Sequence, residues 1–309
     1  MKESPIDLRA WRQFVAVAEE LHFGRAAARL HLTQPPVTQA IAQIEKSLGV
    51  VLFDRTRRRV ALTPAGEALL PEVRELLTRA QALPARARAA AAGEVGRVRL
   101  AFVSTIGFER LPAWVREFRI ACPDVALELV EATGDVQLEA LARGEIDAGL
   151  MLHSPGFAPP GLERLPIAEE PLVLALPASH ALAKVDRVPL AAALAEALVI
   201  FPRRIVPSLY DAIFGLYHAA GRAPEVAQEA IQMQTIVNLV SGGLGVAWVP
   251  ESVMQFKRSG VVYRTAEEFE PAGRRRAATL PRCETSLVWP AAAGNPALAR
   301  FVGFIGRML

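Results

Sequence analysis

Through the first ninety residues apolar side chains recur every three or four positions. Leu8, Trp11, Phe14, Val15 and Ala18 trace one helix. Ala26, Ala27 and Leu30 trace a second, short one over Arg25 to Leu30, whose alanines permit another helix to approach closely. Val37, Ile41, Ile44 and Leu48 line one side of a third. The turn His31-Leu32-Thr33 separates the second from the third, so the spacing predicts a helix-turn-helix. Pro35 and Pro36 fit this reading. With Thr33 as N-cap they fall in the first helical turn, where amides have no internal partner and the proline rings meet no helical carbonyl. They also remove the amides that an N-cap hydroxyl would bind, so Thr33 is expected to cap weakly and keep its hydroxyl for an outside partner.

The pattern then shortens. VVLFDRTRRRVALTP (residues 50–64) reads as strand, arginine-rich turn and strand, a hairpin carrying Arg55, Arg57, Arg58 and Arg59. From Pro64 to about Ala92 a long helix is predicted, with a seam of Leu69, Val73, Leu76, Ala80 and Leu83 of the kind that pairs with a second copy. Pro71 and Pro84 are expected to kink or end it, Pro84 marking its C-terminal break.

Beyond Arg97 strand and helix alternate. Strands are predicted at Val98–Val103, Val125–Val130 and Ile146–Leu152, with helices at Phe108–Ile120 and Val136–Ala142, a βαβαβ unit with a parallel sheet. A second unit from about Glu170 has strands at Leu172–Leu176, Leu198–Phe201, Val226–Gln228 and Val246–Val249, and helices at Ser208–Ala219 and Gln232–Val240. Ser286–Trp289 and Asn295–Met308 are expected to return to the first unit. Two such lobes enclose a cleft with strand ends and helix N-termini facing inward.

Composition narrows the class. A chain of 309 residues, 52% apolar, supports two or three domains with real cores. No run reaches ~18 apolar residues, so no membrane span is expected. The charged start (Lys2, Glu3, Asp7, Arg9) does not read as a secretory signal. Cys122 and Cys283 form neither a disulfide framework nor a metal motif, which points to a reducing cytoplasm. Charge is uneven. Residues 1–92 hold 14 Lys and Arg against 9 Asp and Glu, a net +5, whereas residues 93–309 hold 21 against 23, a net −2. A polyanion partner for the first third follows, with an ordinary basic surface as the alternative.

Candidate chemistry follows the same division. Pro35, Gln39, Ala42, Gln43 and Lys46 fall opposite the buried stripe of the third helix, with Thr38 at its flank. This face is uncharged until Lys46. Gln can pair with adenine N6 and N7 in a major groove, and proline or alanine can meet a thymine methyl. A solvated polar face is the alternative. Directly after it, the arginine tip suits phosphates beside a groove. In the C-terminal part nothing resembles an active site. GGLG at 242–245 is not a dinucleotide loop, the five histidines hold no metal-spaced pair, no GxSxG occurs, and Asp147 reads as ordering a loop. Catalysis, metals and resident cofactors are therefore not expected. The cleft candidates are Ser104 and Thr105 after the first strand, Thr133 after the second, and FPRRIVPSLYD (residues 201–211), where hydroxyls and helix N-terminal amides favour a carboxylate.

FVAVAEELHFGRAAARLHLTQPPVTQAIAQIEKSLGVVLFDRTRRRVALTPAG, and later LARGEIDAGL, LVLALPASHALA and VSGGLGVAWVP, resemble the LysR-type transcriptional regulators in the family's order across nearly the whole chain. The resemblance implies an α+β winged helix-turn-helix (residues 1–63), a dimerising linker helix (64–92) and an α/β two-lobed, periplasmic-binding-protein-like effector domain (93–309). Lobe I would span about 93–165 and 270–309, and lobe II about 166–269. DNA contacts are expected from Thr33, Gln34, Pro35, Thr38, Gln39, Gln43, Arg55, Arg57, Arg58 and Arg59. Regulators of aromatic-acid catabolism hold inducers at positions matching Ser104, Thr105, Thr133, Pro207, Leu209 and Ile231, to which Leu152, Phe201 and Arg203 are added as neighbours. The sequence departs from that subgroup at Leu152-His153, where an arginine is common; Arg203 or Arg204 is the candidate replacement. The implied partners are an operator duplex, a small-molecule effector and further copies of the chain in a dimer or tetramer, with RNA polymerase a further candidate and no membrane. A small-molecule sensor acting through protein contacts is the runner-up, and an α/β enzyme with an accessory helical domain the third reading.

Overall fold

The computed structural model describes residues 6–55, 59–108, 110–267 and 280–309. It forms two compact units, Met1–Arg88 and Ala89–Leu309.

The first unit holds α1 (Leu8–Glu20), α2 (Phe23–Arg29), α3 (Gln34–Leu48), the hairpin strands β1 (Phe53–Arg55) and β2 (Val60–Leu62), and most of α4 (Pro64–Ala91). Phe14, Val17, Val37, Ile41, Ile44, Leu52 and Phe53 are sealed inside, with Phe53 packed against the rings of Phe14 and Phe23. Three expectations change here. Leu48, in the last turn of α3, is exposed, and so are Val50 and Val51. Gly49 caps α3 in the left-handed conformation, φ 70°, and the chain turns away before the strand begins at Phe53. Pro84 does not end the long helix: α4 runs through Pro71 and Pro84 to Ala91. Each proline removes one helical hydrogen bond, and both are exposed, where solvent can take the released carbonyl. The seam also splits. Val73 is buried together with Leu77 in this unit's own core, leaving Leu76 and Leu83 exposed.

The second unit holds an eight-stranded sheet in the order β4 (Val125–Glu131), β3 (Gly96–Phe102), β5 (Ala148–His153), β12 (Arg282–Pro290), β6 (Leu162–Pro177), β11 (Val261–Ala266) and β7 (Arg187–Val188), with β10 (Ala247–Pro250) also on β6, and a separate parallel pair, β8 (Leu198–Ile200) with β9 (Val226–Glu229). Lobe I contains β3 (Gly96–Phe102), α5 (Ser104–Gly107), α6 (Arg110–Ala121), β4 (Val125–Glu131), α7 (Gly134–Ala142) and β5 (Ala148–His153). β3 pairs in parallel with β4 and β5. Asp147 accepts from the Arg99 amide at 2.7 Å and from its guanidinium at 2.9 and 3.1 Å. Burial alone would raise that carboxyl, but the Arg99 hydrogen bonds prevail and hold it below the usual range. Asp147 thus orders the entry to β5.

β6 (Leu162–Pro177) is one long strand that crosses from lobe I into lobe II, where Leu172–Leu176 alone were read as strand. Its first half alternates proline and charge, which hid it. Lobe II adds β7 (Arg187–Val188), α8 (Leu190–Ala193), β8 (Leu198–Ile200), α9 (Pro207–Ala219), β9 (Val226–Glu229), α10 (Met233–Ser241), β10 (Ala247–Pro250) and β11 (Val261–Ala266), with 3-10 turns at Ala181–Lys184 and Glu251–Gln255. Gly245 fits only as glycine: a Cβ there would lie 2.2 Å from the Ala197 carbonyl oxygen. That is the structural use of GGLG. β12 (Arg282–Pro290) and α11 (Pro296–Met308) return to lobe I, where Leu298, Phe301 and Ile305 join Trp114 and Phe118. Leu172, Leu174, Ile213, Tyr217, Val237 and Val249 form the core of lobe II. Both cysteines are buried and free, and no helix of the described residues is long and apolar enough to cross a membrane.

Candidate nucleic-acid interface and effector cleft

The outer face of α3 is fixed from behind. Val37, Ile41 and Ile44 are wholly buried, so rotation of the helix would expose apolar surface. Opposite them Thr33, Gln34, Pro35, Pro36, Gln39, Ala42, Gln43 and Lys46 are exposed, and Thr38 is half-buried. Thr33 is the N-cap and makes no side-chain capping bond, because the prolines leave it no nearby amide. Thr38 donates to the Gln34 carbonyl at 3.1 Å, which orients its oxygen along the helix.

The hairpin arginines do not share one role. Arg55 reaches the Glu45 carboxylate at 2.8 Å and lies 4.8 Å over the Phe23 ring. Glu45 also accepts from the amides of Leu52 at 2.9 Å and Phe53 at 3.2 Å. One carboxylate on α3 therefore sets where the hairpin starts, and the exposed Arg55 is paired with it. Arg59 is exposed; Arg57 and Arg58 lie outside the described residues. The sequence reading missed Arg9 and Gln13, which with Asp7 line a groove of about 250 Å³ beside Pro36, Gln39 and Gln43. Their helical spacing on α1 was visible; their nearness to α3 was not.

In the second unit a cavity opens between the lobes. Ser104, Thr105, Thr133, Leu152, Phe201 and Ile231 all line it, joined by Gln232 and Met233 at the start of α10. No charged side chain is among its walls. Thr133 and Gln232 are N-caps of α7 and α10 that make no side-chain capping bond, so two helix N-termini present unsatisfied amides nearby. Thr133 hydrogen-bonds Asp135 instead. The cavity is narrow, about 40 Å³.

Three expected cleft residues stand elsewhere. Arg203 is held by Asp211 in two hydrogen bonds of 2.7 Å and is absent from the cavity wall. The Arg203 guanidinium in turn keeps the Asp211 carboxyl below its ordinary range. Leu209 points into the lobe II core, because its position on α9 faces inward with Ile213 and Leu216. Pro207 lines a neighbouring groove of about 750 Å³ with Leu138, Phe157 and Arg204. Arg204 is also absent from the wall of the cleft cavity and pairs with Asp135 at 3.5 Å. At the end of β5, His153 is buried and bonded to the Ser154 carbonyl at 2.8 Å and the Ser286 hydroxyl at 3.1 Å, while the Ser154 amide donates to Ser208 of lobe II at 3.0 Å.

Residues 8–67 match the bacterial regulatory helix-turn-helix protein family of lysR type, and residues 91–309 match the LysR substrate binding domain. The chain is 44% identical over 285 residues to the HTH-type transcriptional regulator IlvR of Caulobacter vibrioides, covering 92% of each. It is 37% identical over 265 residues to the HTH-type transcriptional regulator AlsR of Bacillus subtilis, covering 86% of this chain and 87% of the relative. Full-length CbnR solved with its target DNA superposes with a TM-score of 0.78 at 31% identity, over 97% of this chain and 99% of that one. With a helix-turn-helix at one end and a two-lobed cleft domain at the other, the chain belongs to the LysR family and is a DNA-binding transcriptional regulator with an effector-binding domain.

Proposed function

We propose that α3 enters the major groove of an operator and that the cleft between the lobes receives a small carboxylate, aromatic acids being the first class to try. The observation that carries the DNA half is the exposed amide face of α3, held in place by a dry core. Gln34, Gln39 and Gln43 read base edges, Pro35 and Thr38 meet them in the first turn, and Thr33 with Arg57, Arg58 and Arg59 holds phosphates. Arg55 positions the hairpin. That CbnR was solved on its target DNA supports this docking. Ser104, Thr105, Thr133, Leu152, Phe201 and Ile231 form the effector site, a carboxylate being held by hydroxyls and by the amides opening α7 and α10. The protein works in the cytoplasm, is not an enzyme, and divides into residues 1–63, 64–92 and 93–309. Footprinting on fragments selected from a random duplex pool tests the DNA half. Protection of one recurrent sequence supports it; no protected sequence favours a sensor that acts through protein contacts.

Self-association rests on α4, whose Leu76 and Leu83 are exposed while Val73 faces inward. Two copies pair through these leucines, and pairs assemble into tetramers. Leu76→Asp puts a charge into that contact and is expected to lower the oligomeric state and weaken operator binding. Sedimentation of this variant as the parental oligomer rules the contact out.

A further inference from the structure

A second cavity lies in the same domain. It measures about 440 Å³ and is floored by Ala168, Glu169 and Glu170 of β6 and by Thr285 of β12. Thr105 and Arg110 wall it from lobe I, and Glu251, Ser252 and Gln255 from lobe II. Thr105 lines both cavities. Stacked Phe108 and Phe256, with ring centres 5.6 Å apart, join the lobes close by.

Several of its polar groups are committed. Glu169 pairs with Arg282, and Glu170 accepts from the Ser252 amide and hydroxyl. Others are not. Among the described residues, the side chains of Arg110 and Glu251 make no ion pair or hydrogen bond. Thr105 is 5% exposed and its hydroxyl oxygen is buried with no partner, while Thr285, 4% exposed, lines the same wall. A buried hydroxyl without a partner is uncommon and costly. Here the Thr105 hydroxyl shares the cavity with an arginine from one lobe and a glutamate from the other.

We infer that this chamber binds a small zwitterion of the α-amino-acid class, its carboxylate on Arg110, its ammonium on Glu251, and its polar edge on Thr105 and Thr285. A simple anion would face the glutamates, and a simple cation would face Arg110; a molecule carrying both charges satisfies both walls. Because the charges come from different lobes, the ligand draws the lobes together at this edge. Through Thr105 it is sensed in the effector cleft, so the two sites are coupled. Binding here goes beyond the effector reading above and does not depend on it; the coupling rests on that reading.

The test uses the full-length protein and the common L-amino acids, each added singly at millimolar concentration, with thermal shift first and calorimetry on any that respond. At least one is expected to raise Tm. Arg110→Gln and Glu251→Gln are each expected to weaken it by about tenfold or more, as loss of a charged hydrogen bond does. Ser104→Ala, in the effector cleft, is expected to leave its Kd within about twofold, since it removes no direct contact. The corresponding amide and the deaminated acid are expected to bind more weakly than the zwitterion. The inference is overturned if no amino acid raises Tm, if binding survives both charge variants, or if Ser104→Ala alone abolishes it, which would put the ligand in the effector cleft. Should Arg110→Gln lower Tm without ligand, Glu251→Gln decides, because Glu251 is exposed.

Discussion

The two binding surfaces are built on opposite plans. The proposed DNA-facing surface takes its polar groups from one helix, α3, whose spacing is set by the helix itself and whose rotation is fixed by three buried side chains. The effector cleft takes its groups from the ends of β3, β5 and β8 and from the starts of α7 and α10, in two lobes. Its geometry is therefore only as constant as the distance between the lobes. A surface that must match a fixed repeat of base pairs gains from rigidity. One that must report a ligand gains from walls that can move. Charge follows the same division: the cleft wall has none, and the DNA-facing unit carries arginines close to α3.

Substitutions can break this contrast. The largest effect is expected from Glu45→Ala. It strips the acceptor from two amides and Arg55 and should cost about 2–3 kcal/mol of stability. Operator affinity should fall as well, because the hairpin loses its reference to α3. A denaturant midpoint equal to the parent's would show that the hairpin is set by its own turn. Next is Gln39→Ala, expected to cost about 1–3 kcal/mol on the operator and far less on random DNA at the same salt. Equal losses on both would make Gln39 a positioning residue. In the cleft, Ser104→Ala should weaken binding of benzoate, the simplest aromatic carboxylate, by about tenfold, with stability little changed. Calorimetry that returns the parental affinity would remove Ser104 from the site. The smallest effect is expected from Arg203→Ala: no change in benzoate affinity, since Asp211 already holds that guanidinium outside the cleft. A large loss would restore Arg203 as the anion receptor.

How far each surface could be read beforehand follows from the same contrast. The face of α3 was legible because it is local: Val37, Ile41 and Ile44 fix which residues lie opposite. Thr33 was legible for the same reason, since two prolines in the first helical turn decide its capping. Arg55 was not, because its partner Glu45 lies ten residues earlier and takes the guanidinium within the unit itself. Ser104, Thr105 and Thr133 follow strands whose ends must meet the cleft, so their placement came from topology. Leu209 failed because facing the cleft and facing the lobe core differ by a rotation along one helix. Arg203 failed because nothing in its spacing to Asp211 revealed that the two would pair. Pro84 misled because intrinsic propensity was weighed without its context, an exposed helix in which solvent can serve the released carbonyl.

The long strand β6 has one further consequence. It belongs to both lobes, so the lobes share a spring rather than a loose joint. Two prolines, Pro166 and Pro171, interrupt its donors at the crossing. Between them the register with β12 slips at Thr285/Ser286, leaving Ile167 unmatched. Stiffness is thus lowered over a few residues and retained on either side, so bending and twist concentrate there. Thr285 lies at that slip. Substitutions at Pro166 or Pro171 are therefore expected to change how the lobes are held without altering a residue that lines either cavity.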